Sequence, residues 1–192
     1  MRGLVYDLAL ALPERLGLAR LRAGLLGDLT GRVLEVGAGT GLNSRAAKGA
    51  QTLIQTEPEL SDLLRARGRP AIAGVRRLYV VAAAEALPFA AGAFDAAFAT
   101  LVLCSAVDPA LAAREMRRVV RPGGPLRLLE HVRSPVKLVA RLQTALTPAW
   151  SHVEVGCHLD RDPRDAYWPA GWSDVHDVRL AGSLVARIEA VA

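Results

Sequence analysis

Along this chain, short uninterrupted apolar runs alternate with stretches in which apolar residues return every three or four positions. The first kind suits strands covered on both faces, and the second suits helices with one buried side. Arg32–Val36 is the first strand and ends directly in glycines, with a short helix expected over Gly41–Ala50. Thr52–Thr56 follows as a second strand, then Glu59–Arg67 as a helix with Leu60, Leu63 and Leu64 on one side. Leu78–Ala82 and Phe94–Leu103 are the third and fourth strands. Asp108 and Pro109 supply an N-cap and a first helical residue, and Leu111, Met116, Val119 and Val120 form that helix's apolar side. The Arg-Pro-Gly-Gly stretch from Arg121 stops it, and Pro125–Val132 is the fifth strand. Ser134 and Pro135 restart a helix expected to end near Thr147, ahead of Pro148. Ser173–Leu180 and Leu184–Val191, with Gly182 between them, read as a closing hairpin.

Strands separated by helices, closed by a hairpin, predict an α/β fold: a doubly wound, mostly parallel seven-stranded sheet with a C-terminal antiparallel hairpin. The expected layout is one domain over residues 1–192, with helices over 1–30, a ligand-binding core over 31–132, a helix and loop over 133–172, and the hairpin over 173–192.

Composition narrows the class. A chain of 192 residues that is 52% hydrophobic and 22% charged is globular. No apolar run reaches the roughly 18 residues of a membrane span. Ala96–Val107 is too short for one and contains Thr100, Cys104 and Ser105. The N-terminal apolar run is soon interrupted by Pro13, Glu14 and Arg15 and carries no small-residue cleavage site, so it reads as an amphipathic helix. Cys104 and Cys157 are the two cysteines and give no disulfide framework, which leaves a cytoplasmic location as the expectation. The net charge of +5 comes mainly from arginines scattered over helices, with few aromatics to stack bases. Nucleic acid is therefore not an expected partner, although the charge keeps an RNA-modifying reading in view.

The glycines carry the first chemistry. Gly37, Gly39 and Gly41 directly follow a strand and flank Ala38, which is too dense for an ordinary turn. Glycines at that place let a ligand approach the backbone. Glu35, inside the apolar run, needs a cationic or hydrogen-bonding partner, and an α-amino group would serve. Glu57 ends the second strand at the distance where an acid can take both hydroxyls of a ribose, and Pro58 fixes the turn after it. His131 closes the fifth strand, where it either acts on a substrate or makes a structural hydrogen bond. Cys104 reads as a core residue or a pocket residue. The irregular stretch Trp150–Asp162 is the expected acceptor wall, with Trp150 and Leu159 for apolar contact and His158, Asp160 and Arg161 for polar contact. His152, Cys157 and His158 invite a metal reading, but one irregular loop without a second ligand pair is a poor site, and no metal is expected.

The stretches VLEVGAGTG, TEPE, AEALPF, AFDAAFATLVLC and RRVVRPGG, in that order over about Gly31 to Val132, resemble the successive motifs of the class I S-adenosylmethionine (SAM)-dependent methyltransferases of the methyltransferase type 11 family. TLVLCS, LLEHV and GCHLDRD extend the likeness to the small thiol S-methyltransferase-like group and its bacterial relatives. This resemblance implies a Rossmann-like fold and SAM as cofactor, with S-adenosylhomocysteine as product. It places Gly37, Ala38, Gly39 and Gly41 beside the methionine part, Glu35 at its amino end, Glu57 with Pro58 at the ribose, Ala84 and Glu85 beside the adenine, and Leu101 in the pocket wall. Where the family often has Gly-Asp-Ala-Glu, this chain has Ala82, Ala83, Ala84 and Glu85. By the same resemblance the chain is expected to lack the long N-terminal membrane anchor of the animal members. The implied function is methyl transfer to a small-molecule acceptor such as a thiol, an amine or a quinone-like ring. The alternatives are a lipid or quinone-precursor methyltransferase whose Leu4–Leu12 stretch and basic surface touch a membrane, and a SAM-binding protein without turnover. The oligomeric state is left open.

Overall fold

A computed structural model describes residues 2–153, 156–180 and 184–192, with the backbone alone for 2–6, 9, 152 and 153. Helices α1 (Arg2–Pro13) and α2 (Ala19–Leu26), joined by a π-turn over Glu14–Leu18, precede strands β1 (Gly31–Val36) and β2 (Ala50–Glu57). Helix α3 (Leu60–Gly68) leads to β3 (Arg76–Val81) and β4 (Ala96–Thr100), and α4 (Pro109–Val119) leads to β5 (Pro125–His131). Helix α5 (Lys137–Val153) and the short α6 (Arg164–Tyr167) precede the hairpin of β6 (Ser173–Leu180) and β7 (Val185–Val191). The strands form one sheet in the order β3-β2-β1-β4-β5-β7-β6. The first five pair in parallel, and β7 runs antiparallel to both β5 and β6.

Alternation along the strands divides the core between the two faces of the sheet. Leu34, Val36, Ile54, Ala97, Ala99, Leu126 and Leu128 pack on one face with Met116 of α4. Val33, Leu53, Ala96, Phe98 and Leu129 pack on the other with Leu25 and Leu26 of α2. The chain leaves β1 in one direction for β2 and β3, and returns on its other side for β4 and β5. Such a reversal opens a crevice at the carboxyl ends of the central strands, which is where sheets of this kind bind ligands. Residues at or just past the ends of β1, β2, β4 and β5 therefore converge there.

Three expected elements differ. Gly41–Ala50 is a series of tight turns, with Ser44 N–H donating to Gly41 O and Ala46 N–H to Asn43 O. Asn43 and Ser44 are buried, and the Asn43 side chain is engaged by distant strands, so tertiary hydrogen bonds outweigh a short helix. Strand β4 stops at Thr100 because Leu101 adopts φ 59, a left-handed conformation that no strand continues through. Helix α5 runs past Thr147 and through Pro148 to Val153. Hydroxyls of Thr144, Thr147 and Ser151 bond to carbonyls inside this helix, at Ala140, Gln143 and Pro148, and help it accommodate the proline. The irregular stretch expected from Trp150 is shorter for the same reason. Gly182 lies outside the described residues. The Asp108 cap is present, its carboxylate accepting from Leu111 N–H at 2.9 Å.

Candidate active site

A cavity of about 450 Å³ opens above the ends of β1, β2 and β4. Gly37, Gly39, Glu57, Pro58, Ala84, Glu85 and Leu101 line it, together with Cys104, His131 and Cys157 farther along. Gly39 sits at φ 52, and a Cβ built on it meets no atom within 4 Å, so the space in front of it belongs to the cavity. Gly41, at φ 85, has a different reason: a Cβ there would stand 2.7 Å from Ala66 Cα, so its bare backbone lets α3 pack closely. Glu57 accepts the Gly39 N–H at 2.9 Å and the Glu59 N–H at 3.2 Å. Burial pushes its carboxyl pKa up, against those two bonds. A carboxylate offers about four acceptor sites. The two that remain on Glu57 suit the paired hydroxyls of a ribose.

Glu35, Ala38 and Gly41 do not line this cavity. Ala38 donates its N–H to Thr56 O. Glu35 stands wholly buried behind the wall and accepts from Asn43 at 2.7 Å and from Gln55 at 2.6 Å. Asn43 in turn bonds Thr100 and accepts from Arg22 of α2, which also donates to Thr100 and pairs with Glu14. The buried Nη2 of Arg22 has no partner among the described residues. Desolvation raises the Glu35 pKa to about 7 in spite of the two amides and the Arg22 charge. Both Glu35 oxygens are thus engaged by the framework, and the expected contact with a ligand's amino group is not prepared in this arrangement. Glu85 at the cavity rim accepts from Val107 N–H and Asp108 N–H through one oxygen, Oε1.

The other half of the crevice is assembled from three distant segments. Glu130 is wholly buried, and its carboxylate accepts the N–H groups of Val102, Leu103 and Cys104 at 2.9, 3.0 and 3.3 Å. Burial raises its pKa while those three donors lower it. The Cys104 carbonyl is fixed from the opposite side by His158 N–H at 2.9 Å and by the Arg161 guanidinium at 3.2 Å. Arg161 also reaches Ala106 O at 2.6 Å. With its backbone held at both ends, Cys104 presents Sγ 3.5 Å from Cys157 Sγ, and Cys157 Sγ lies 3.5 Å from His131 Nδ1. The contact with Cys104 holds the Cys157 thiol below its usual pKa, and the Cys104 thiol is pushed above its own by the same contact and by burial.

Cys104 and His131 also line a second cavity of about 490 Å³, with Asp160, Arg161 and Arg133. Of the expected acceptor residues, the structure brings Cys104, His131 and Asp160 together there. His158 and Trp150 line neither cavity. His158 contributes its backbone, and Trp150 is half-buried on α5. The His152 side chain lies outside the described residues. Sequence reasoning missed Glu130, the pairing of Cys157 with Cys104, and the Asn43–Arg22 network. An acid within an apolar strand was the available signal for Glu130, as it was for Glu35.

The profile of the type 11 methyltransferase-domain family matches residues 34–128. The chain is 32% identical over 157 residues to rat thiol S-methyltransferase TMT1B, covering 78% of this chain and 59% of that protein. It is 36% identical over 159 residues to human thiol S-methyltransferase TMT1A, covering 79% and 63%. The chain thus spans about 60% of the length of these curated relatives. Among solved structures, one from the Haloferax volcanii complex of the Trm112 methyltransferase activator with a methyltransferase superposes with a TM-score of 0.74 at 15% identity, covering 97% of this chain and 92% of that one. A SAM-dependent methyltransferase of Mesorhizobium loti gives 0.68 at 16%, covering 91% and 95%. At these identities the two structures support the fold.

Proposed function

Because this chain belongs to the class I SAM-dependent methyltransferases, within the type 11 family and near the thiol S-methyltransferases, we propose that it transfers a methyl group from SAM to a small-molecule thiol. The observation that carries this reading is one continuous cavity running from Glu57 and the open face of Gly39 to Cys104 and His131. Gly39 gives a ligand the close backbone approach that a methionine chain needs, while a Cβ on Gly37 would collide with Val102, and Glu57 has two acceptor sites for ribose hydroxyls. The small side chains of Ala83 and Ala84 leave room on the adenine side. SAM, when bound, supplies a methyl group on a positively charged sulfur.

The chain's own residues do the rest. Glu130 and Arg161 fix the Val102–Cys104 turn, so the acceptor side is rigid before anything binds. Leu101, Val102 and Ala106 give the cavity an apolar side next to the charge-dispersing step. His131 and Cys157 lie 3.5 Å from each other at the inner end of the cavity. A cytoplasmic location and a single domain over 1–192 belong to this proposal. Titration calorimetry tests it first: SAM is expected to bind in the micromolar range, about −8 kcal/mol. Release of S-adenosylhomocysteine on adding thiols is expected to follow, and a chain that neither binds SAM nor turns over any thiol overturns the reading.

A second reading, an acceptor taken from a membrane surface, is favoured by exposed leucines. Leu8, Leu12 and Leu16 are 69%, 63% and 78% exposed, and Leu138 and Leu142 on the neighbouring α5 are 77% and 57% exposed. Among the described residues, no helix is long and apolar enough to cross a membrane. Co-sedimentation with anionic vesicles checks this reading, and loss of binding in a Leu138→Ser, Leu142→Ser variant is its expected signature.

A further inference from the structure

We propose that Cys104, Cys157 and His131 hold a zinc ion with one open position, and that this position takes the acceptor thiolate. The donor set is two thiolates and an imidazole. In zinc chemistry that set leaves a fourth site for water or substrate. With zinc–sulfur bonds of about 2.3 Å and zinc–nitrogen bonds of about 2.0–2.1 Å at tetrahedral angles, two sulfurs stand about 3.8 Å apart and a sulfur and nitrogen about 3.5 Å. The two sulfurs here are 3.5 Å apart, Cys157 Sγ and His131 Nδ1 are 3.5 Å apart, and all three donor atoms fall within 4.8 Å of one another. A small inward shift of His131 toward Cys104 closes the set.

The surroundings fit a built site. Cys104 is 2% exposed and Cys157 4%, and soft thiolates shielded from water favour zinc over harder cations. The Cys104 backbone is clamped by Glu130 on its N–H and by His158 and Arg161 on its carbonyl, which sets the direction of one ligand in advance. All three residues line the same cavity as Gly39 and Glu57, so the open position faces the space assigned to the cofactor and acceptor. The three donors come from three segments, the turn after β4, the end of β5 and the loop after α5, whereas the metal reading of the sequence lay within one loop.

This inference rests on the proposed methyl transfer and names how that site would take its acceptor. An acceptor R–SH binds as R–S⁻, and its proton passes to water. A sulfur lone pair then forms the S–CH₃ bond as the sulfonium–CH₃ bond breaks, and the released electron pair neutralises the leaving sulfur. The thioether product carries no charge, binds zinc weakly and departs.

The test uses the full chain, reduced with a phosphine and stripped with a chelator, then titrated with cobalt(II) and zinc. One equivalent of cobalt is expected to give thiolate-to-metal charge-transfer absorption and tetrahedral d–d bands, both displaced by zinc. Cys104→Ser and Cys157→Ser should each lose most of that absorption, and His131→Ala should bind zinc about tenfold or more weakly. Mercaptoethanol added without SAM should strengthen the charge-transfer band by supplying another thiolate. A reduced wild-type chain without the band, a band that survives in the Cys104→Ser, Cys157→Ser double variant, or a band indifferent to mercaptoethanol overturns the proposal. Should the serine variants fail to fold, the wild-type spectrum and its response to thiol decide the matter. SAM titration separates the two readings. A chain that binds SAM and methylates thiols without metal overturns the zinc site alone, and a chain that takes cobalt and thiol but not SAM overturns the methyl-transfer reading.

Discussion

Glu35, beneath the proposed cofactor half of the crevice, and Glu130, beneath the proposed acceptor half, are both wholly buried, and burial raises both pKa values. Their partners differ. Glu35 is held by the side chains of Asn43 and Gln55, whereas Glu130 is held by three successive backbone N–H groups just after β4. A carboxylate held by side chains can lose its charge while the neighbouring amides reorient. One that caps backbone donors has no such freedom, because those N–H groups turn nowhere else. The first glutamate therefore tunes a framework, and the second determines where a loop goes. The loop it places carries Cys104.

The largest expected effect follows from that difference. Glu130→Ala orphans three backbone donors, each worth about 1–3 kcal/mol when buried without a partner. A loss of about 3 kcal/mol or more in urea unfolding is expected, with Glu130→Gln milder because one oxygen remains to accept. Equal stability of Glu130→Ala and wild type would mean that water replaces the carboxylate and that the loop does not depend on it.

Within the proposed cofactor half, two glycines sharpen the contrast between site and scaffold. Gly39→Val fills the cavity and is expected to weaken SAM about a hundredfold, or about 2.7 kcal/mol, at a left-handed strain cost of about 1–2 kcal/mol to the fold. Gly41→Val collides with α3 and should lower stability more than Gly39→Val does. Calorimetry and thermal unfolding of the pair read both quantities, and a Gly39→Val chain that still binds SAM normally removes the ligand from this cavity. Glu57→Ala comes next: losing hydrogen bonds to a charged group should cost SAM binding about 1.5–3 kcal/mol, with Glu57→Asp weaker in effect. Unchanged affinity would reduce Glu57 to a brace for Gly39 and Glu59.

The two halves also differ in how plainly the sequence announced them. The proposed cofactor half is local: a strand runs into glycines, and an acid follows about 20 residues later at the end of the next strand. The succession of strands and helices along the chain and the closing hairpin were legible for the same reason, since the change of apolar period marks each element. The proposed acceptor half joins Cys104, His131, Cys157 and Arg161 from segments that only the fold makes neighbours, and its strongest bonds run from one side chain to distant backbone groups. No local pattern records such bonds. Pro148 and the turns after Gly41 misled for a related reason, because hydroxyl and amide side chains overrode the backbone preference.

The smallest expected effect tests the tuning role of Glu35 through pH. Its pKa is about 7 in the fold, against an ordinary value of 4.5 in the unfolded chain. Between those values the folded state holds a proton that the unfolded state has released, so unfolding gains relative favour as pH rises. The stability tied to this proton is fully present below about pH 4.5 and is lost as pH climbs through about 7. Cys157, held low by Cys104, works in the opposite direction, so the wild-type curve alone mixes the two. Glu35→Gln isolates the carboxyl, since a glutamine keeps the shape and cannot ionise. Between pH 5 and 7 the wild type should lose about 1–2 kcal/mol relative to Glu35→Gln, measured as the difference in urea unfolding free energy at each pH. Parallel curves would show that Glu35 stays ionised beside Arg22 throughout, and that the buried network is a standing ion pair bridged by Asn43.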